Sequence, residues 1–372
     1  MSDHNKKILI VSDFYKPHLS GMTFYIDQQV KTLLENNYKV TILTINYTNN
    51  LNSEENQKNL RILRVQPSFK FSRGLFSLEL IKLFIKESAK HHYIHIHYPI
   101  AEIFLLILFF NKKVIFNYHC IPSFNQKHLM FVKFYFYFFS LISILLSYKT
   151  IVLSKDYFKN TKLNNFFLKK VVEISPYISF QPNNLLSAKN KDNVFTIGYL
   201  GRLSYEKSLE TLIKASEILE EKKVDHRILI AGDDKDQRFI KYISKIKLKS
   251  KNNNNISFLG KISEKSKEKF YKLLDVFVLP SNNSFEAFGI VQLEAMNYGL
   301  PVIASNLPGV KTIITNTKNG FLFEINNSKE LANKLIKIKY NYKLKKEMII
   351  RRVNEKYNKS KFDKSFLDLF KD

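Results

Sequence analysis

The sequence predicts an α/β protein of two domains, each a doubly wound parallel sheet of the Rossmann-like kind, facing each other across a cleft. Three observations predict it. Short apolar runs alternate with stretches of helical period along most of the chain. The alternation lapses over Gln181–Asn193, which is polar, aperiodic and reads as a linker. The length, 372 residues, suffices for two hydrophobic cores.

In the first domain, residues 1–180, Lys7–Val11 reads as a buried strand. Thr23–Asn36 is amphipathic, with Phe24, Ile26, Val30, Leu33 and Leu34 apolar. Strands follow at Val40–Ile45, at His92–His97 before Pro99, at Lys113–Tyr118 and at Thr150–Ser154, with an aromatic helix before the last. The second domain, 194–356, opens with a strand at Phe195–Tyr199, a helix at Ser208–Glu220 and a strand at Arg227–Ala231. Ile256–Leu259, Val276–Leu279, Pro301–Ala304 and Gly320–Phe323 continue the series, and Lys261–Leu274 is helical in its later part. The tail from Lys329 is helical and lysine-rich; its end, about 357–372, is expected to pack back on the first domain. No short-period repeat is present.

One cysteine, Cys120, excludes an intrachain disulfide framework and suits a reducing cytosol. The apolar run Ile8–Val11 is too short for a signal-peptide core. A net charge of +26 points to anionic partners, yet the charge is spread over both halves and no zinc-finger or RNA-binding signature accompanies it, so nucleic acid is not expected. From Ile103 to Lys155 there are six lysines and no acidic residue, with long aromatic runs at 104–110 and 131–146. Lys133, Ser140 and Ser143 interrupt the second run, which disfavours a spanning helix. The stretch fits a helix lying on an anionic bilayer or a buried core helix. The expected location is cytoplasmic and peripheral, on the inner face of the plasma membrane.

Chemistry concentrates past strand ends, where ligands bind in open α/β sheets. Glu286 and Glu294 flank Phe288-Gly289-Ile290, where a loop gives way to a helix. With Glu286 at the helix mouth, a spacing of eight would let both carboxylates point one way, beside backbone N–H groups suited to phosphate. Arg202 and Lys207 follow the strand that opens the second domain and can grip a diphosphate. In the first domain Gly21 sits where a helix start would approach phosphate. His97 and His119 both read as following strands, and His119 is a candidate for a substrate hydroxyl. His91, His92, His95 and His97 cluster without carboxylates or cysteine to finish a metal shell, and no Asp-x-Asp pair stands at a strand end, so no metal is expected.

Four blocks carry a resemblance. They are Gly-Tyr-Leu-Gly-Arg-Leu with its downstream lysine over Ile197–Lys207, Ile-Leu-Ile-Ala-Gly-Asp over Ile228–Asp233, Phe-Leu-Gly-Lys over Phe258–Lys261, and Leu279–Gly309 with Glu-Ala-Phe-Gly-Ile-Val-Gln-Leu-Glu-Ala-Met. In this order they resemble the retaining family 4 of GT-B glycosyltransferases, over nearly the whole chain. The resemblance implies transfer of a hexosyl unit from a UDP- or GDP-sugar to a glycan or lipid-linked saccharide, with no cofactor beyond that donor. It implies Arg202 and Lys207 on the diphosphate, Glu294 on the ribose and Glu286 on the donor sugar. It further implies Phe288, Gly289 and Ile290 backbone near sugar and phosphates, Gly21 on the diphosphate, and His119 near the reacting carbon. Gly260, Lys261 and Ile262 would frame the base. The family's Gly-Gly is Ser20-Gly21 here, and Ser208 replaces the glycine that commonly follows the lysine. A non-catalytic partner subunit and a sugar-nucleotide epimerase of the same fold are the alternatives.

Overall fold

The computed structural model describes residues 6–48, 50–71, 74–104, 113–122, 130–161, 167–178 and 194–371. The predicted linker, 181–193, lies outside them. The chain divides into two compact units, Met1–Pro176 with Ser360–Asp372, and Tyr177–Lys359.

Unit 1 is built on β1 (Lys7–Ser12), β2 (Lys39–Ile45), β3 (Glu54–Gln57), β4 (Leu60–Val65), β7 (Tyr93–Tyr98), β8 (Lys113–Tyr118), β9 (Lys149–Val152) and β10 (Val171–Glu173). They form one sheet in the order β10-β9-β8-β7-β1-β2-β4-β3, with a separate hairpin of β5 (Phe69–Phe71) and β6 (Gly74–Phe76). All its pairings are parallel except the edge pair β3–β4. The order runs outward in both directions from β1 and β7, so connections leaving these two neighbours diverge and open a crevice at their carboxyl ends. The helices are α1 (Gly21–Glu35), α2 (Leu78–Ser88), α3 (Met130–Leu146) and α4 (Lys155–Lys159). The central strands are buried on both faces, as crossover helices demand: Ile8, Leu9, Ile10, Ile94, Ile96 and Ile115 are wholly inaccessible.

Strands β3 and β4 are absent from the sequence reading for a physical reason. Glu54–Gln57 is entirely polar, and arginines break the apolar run of Leu60–Val65. Arg64 is nevertheless buried, because its guanidinium donates to Glu55 (2.6 Å) and to the carbonyls of Asn52 (3.2 Å) and Lys16 (3.0 Å).

Unit 2 holds β11 (Phe195–Leu200), β12 (His226–Ala231), β13 (Ile256–Gly260), β14 (Val276–Leu279), β15 (Val302–Ser305) and β16 (Gly320–Phe323). Their order, β13-β12-β11-β14-β15-β16, is parallel throughout and is the doubly wound arrangement with its switch point between β11 and β14. Around it lie α5 (Leu209–Glu221), α6 (Ile240–Lys249), α7 (Glu264–Lys272), α8 (Val291–Asn297), α9 (Val310–Thr317), α10 (Ser328–Asn341) and α11 (Lys346–Lys356).

The last helix, α12 (Lys359–Leu367), and the turn after it bring three phenylalanines one helical turn apart onto unit 1. Phe362 meets the Tyr25 ring edge-on, Phe366 meets His95, and Phe370 stacks on His95 with centroids 5.5 Å apart.

Helix α3 reverses the usual amphipathic arrangement. Its buried residues are Ser140, Ser143 and Ile144, whereas Phe131, Phe134 and Phe138 are 83%, 65% and 43% exposed. The two serines satisfy themselves on carbonyls of their own helix, Tyr137 and Phe139. Of the two readings of this segment, full burial as a core helix does not hold, since Phe131, Phe134 and Phe138 reach solvent. Among the described residues no helix is long and apolar enough to cross a membrane.

Candidate functional site

The crossover order of unit 2 brings together the loops after β11 and β14, the two strands that flank its switch point. Between β11 and α5 lies the turn Gly201–Ser208. Tyr199 secures it from below, donating its hydroxyl to the Arg202 carbonyl (2.7 Å). Ser208 adopts a left-handed backbone, φ 47°, which explains why glycine suits this position. Its side chain anchors it there, donating to Asn326 Oδ1 (3.0 Å) and sharing a hydrogen bond with the Thr211 hydroxyl (2.9 Å).

Lys207 reaches across the switch point and donates to the carboxylate of Glu286, which also accepts from the Ser281 hydroxyl (3.4 Å). Both partners of the ion pair are largely sheltered, at 13% and 14% exposure. Arg202 stays open to solvent on one side, 44% exposed, 3.5 Å from Glu206 and over the ring of Phe285. Glu206 itself is buried. An anion entering here would meet one half-exposed guanidinium and one sheltered ammonium.

Glu286 is not part of a helix. Helix α8 begins at Val291, so the expectation that helical spacing aims Glu286 and Glu294 in one direction is corrected. The two carboxylates have separate partners. Glu294 accepts from the Tyr271 hydroxyl (2.9 Å) and from Lys267 on both oxygens (3.3 and 3.4 Å). Lys267 also pairs with Glu264 (3.0 Å). Between the carboxylates, Phe288 is buried edge-on against Tyr357, and Ile290 is partly exposed. Gly289 has φ +80°, and a Cβ there would lie 2.6 Å from Leu279 Cδ2 and 2.7 Å from Gln292 Nε2. The backbone at this bend is therefore open only to glycine.

Gly260 ends β13, accepts from the Gly232 N–H (2.9 Å), and has Asp234 Oδ1 as neighbour. Lys261 is exposed and Ile262 partly so, both in the extended stretch before α7. Asp234 is paired with Lys247 (2.7 Å), which holds its carboxyl below the usual range.

In unit 1, Gly21 is the first residue of α1, where the first helical N–H groups have no partner within the helix. Ser20 caps the helix in a reciprocal arrangement with Thr23: the Thr23 N–H donates to Ser20 Oγ (3.2 Å), and the Ser20 N–H to Thr23 Oγ1 (2.8 Å). His119 follows β8, but His97 lies inside β7 rather than beyond it, correcting its expected place. The two rings stack, and His97 Nδ1 is 2.9 Å from His119 Nε2. Burial pushes the His119 imidazole down to about 3, and burial with His119 and His95 nearby holds His97 well below its usual value. Both are neutral, so their hydrogen bond has one donor and one acceptor. Among the described residues no group of three metal-ligating side chains is assembled.

Sequence reading missed four residues. Tyr271 and Lys267 lie on α7, whose polar sequence gives no hint of a partner on α8. Asp13 and Glu102 sit past the carboxyl ends of neighbouring β1 and β7, both buried. Burial, then the charge of Glu102, raises the Asp13 carboxyl well above its usual value, and burial raises Glu102 to about 7.

Residues 183–353 match the family model described as glycosyl transferases group 1. An uncharacterized glycosyltransferase of Methanocaldococcus jannaschii is 27% identical over 359 residues, covering 92% of this chain and 91% of that one. A capsular polysaccharide biosynthesis glycosyltransferase of Staphylococcus aureus is 31% identical over 160 residues, 42% of this chain and 40% of that one. Among solved structures, HepE of Anabaena in complex with UDP and glucose superposes with a TM-score of 0.73 at 15% identity, covering 98% of this chain and 99% of that one. The fold is GT-B, and residues 183–353 are similar to the group 1 glycosyltransferases.

Proposed function

We propose that the protein is a retaining glycosyltransferase. In this reading it moves a hexosyl unit from a UDP- or GDP-sugar to a hydroxyl of a lipid-linked saccharide or glycan, forming an α-glycosidic bond. The observation that carries the reading is the Lys207–Glu286 ion pair at the switch point of unit 2, with Arg202 at its open side. A diphosphate needs cations and a sugar needs acceptors, and this junction offers both. The relatives add support: one acts in capsular polysaccharide biosynthesis, and the structural neighbour holds UDP and glucose.

In the proposed mechanism the bond from the anomeric carbon to the diphosphate oxygen breaks, and the acceptor oxygen bonds to that carbon on the same face. The acceptor proton passes to the departing phosphate oxygen. No protein nucleophile takes part, and no metal is invoked, since Arg202 and Lys207 supply the charge that stabilises the leaving group. Glu286 holds donor-sugar hydroxyls, Glu294 the ribose, and Gly260 to Ile262 frame the base. The backbone of Phe288, Gly289 and Ile290 lies along sugar and phosphate. The resemblance assigns Gly21 a diphosphate contact and His119 a donor-sugar contact.

The exposed stripe of Phe131, Phe134 and Phe138, on a segment without acidic residues, supports docking on an anionic membrane, where a lipid-linked acceptor resides. The protein would then work peripherally on the cytoplasmic face. Thermal melts against a panel of nucleotide sugars test the donor reading, since a ligand bound only by the folded state raises the melting temperature by mass action. One UDP- or GDP-sugar should stand out, and its turnover should require an acceptor. Failure of every nucleotide sugar to shift the melt would overturn the proposal, and acceptor-independent conversion would favour the epimerase.

A further inference from the structure

We infer that Tyr271 and Lys267 are positioning residues that turn Glu294 into a reader of the ribose diol. The inference rests on the reading of Glu294 as the ribose contact. A free glutamate on a helix surface samples several rotamers and selects little. Glu294 is fixed instead from two directions. The Tyr271 hydroxyl donates to Oε2 at 2.9 Å, and Lys267 spans both oxygens at 3.3 and 3.4 Å. Tyr271 is itself immobile: it is 1% exposed and its ring stacks on Tyr298, with centroids 4.9 Å apart at 19°. Burial, reinforced by Glu294, holds its phenol well above the ordinary range, so it remains a donor.

An ionised carboxylate has about four acceptor sites. Tyr271 and Lys267 do not exhaust them, and Glu294 keeps 16% of its side chain exposed. The remaining lone pairs face a fixed direction and can accept two neighbouring hydroxyls. Lys267 has a second effect. Shared between Glu294 and Glu264, it offsets part of their charge and so lessens carboxylate repulsion of an approaching nucleoside diphosphate. Tyr271 thereby governs selectivity for ribose, and Lys267 governs affinity for nucleotides of either sugar.

The test uses the full chain and compares dissociation constants for UDP, GDP and their 2′-deoxy forms. A charge-assisted hydrogen bond to a fixed carboxylate contributes about 1.5–3 kcal/mol, so the wild type should prefer the ribonucleotide roughly 10- to 100-fold. Tyr271→Phe keeps the stacked ring and removes only the donor. It should reduce that preference to within about threefold. Lys267→Met should weaken ribo- and deoxynucleotide alike, by about tenfold at low salt, with Lys267→Arg restoring binding. Wild-type discrimination retained by Tyr271→Phe would overturn the inference. Absence of discrimination in the wild type itself would overturn the reading of Glu294.

Discussion

Lys207 and Glu286 are 79 residues apart in sequence and form one ion pair, each side chain more than four-fifths sheltered. The pair exists because β11 and β14 are neighbours in the sheet, which places the loops that follow them face to face. Its two members are also the cation and the acceptor that the proposed reaction needs at its centre.

This pairing separates folding from turnover. Lys207→Met leaves a sheltered carboxylate without its partner and should destabilise unit 2 by roughly 1–3 kcal/mol. Adding Glu286→Gln should recover most of that loss, since the unpaired charge is gone, while transfer stays at least about 100-fold below wild type. Urea melts and initial rates on the same preparations check both parts. A double variant with near wild-type turnover would exclude Lys207 and Glu286 from the chemistry.

Arg202 should behave differently. It is half open to solvent, so Arg202→Ala should change stability by less than about 0.5 kcal/mol. Turnover should drop by about 100-fold or more, because a donor on the departing diphosphate is lost. Arg202→Lys should recover little, as a point charge cannot replace a bidentate fork. Steady-state rates with saturating donor decide the matter.

In the proposed mechanism Glu286, held by Lys207, is an acceptor and not a nucleophile. Incubation with donor, with or without a slow acceptor, should leave its mass unchanged. A glycosyl adduct on Glu286 found by mass spectrometry would contradict the same-face displacement.

The buried titratable groups of unit 1 predict opposing pH dependences. His95 and His119 have values near 3, and His97 is also lowered, so below about pH 6.5 the unfolded chain takes up protons that the folded chain refuses. Their contribution is full above 6.5 and is lost as pH falls. Asp13 and Glu102 have raised values and act in the other sense. Their contribution is full below the unfolded carboxyl values and is lost as pH rises toward about 7. Glu102→Gln removes one such term. Relative to wild type, the variant should gain stability as pH rises from 4.5 to 7, by at most about 1.4 kcal/mol per pH unit. A pH-independent difference would show that Glu102 is ionised throughout.

The aromatic face of α3 predicts a membrane phenotype without a folding one. Replacing Phe131 and Phe134 together with serine should leave the melting temperature within a few degrees of wild type, because these side chains lie largely in water. Co-sedimentation with phosphatidylglycerol vesicles should fall at least tenfold. Unchanged sedimentation would remove the bilayer from the proposal.

Several features were legible in the sequence because their physics is local. Period-two and period-3.6 patterns mark which stretches must be covered on both faces, and that covering demands crossover helices and parallel sheets. The position of Arg202 and Lys207 just past a strand, and of Gly289 at a bend, follows from the same local pattern. Partnerships were not legible. The pairing of Lys207 with Glu286, of Glu294 with Tyr271 and Lys267, and of His97 with His119 depends on which strands and helices lie side by side. Strand order is set by packing of the whole unit, which no local window contains. The outward face of α3 is the sharpest case: apolar periodicity fixes a stripe, but only the tertiary fold decided that its serines turn inward while Phe131, Phe134 and Phe138 reach water.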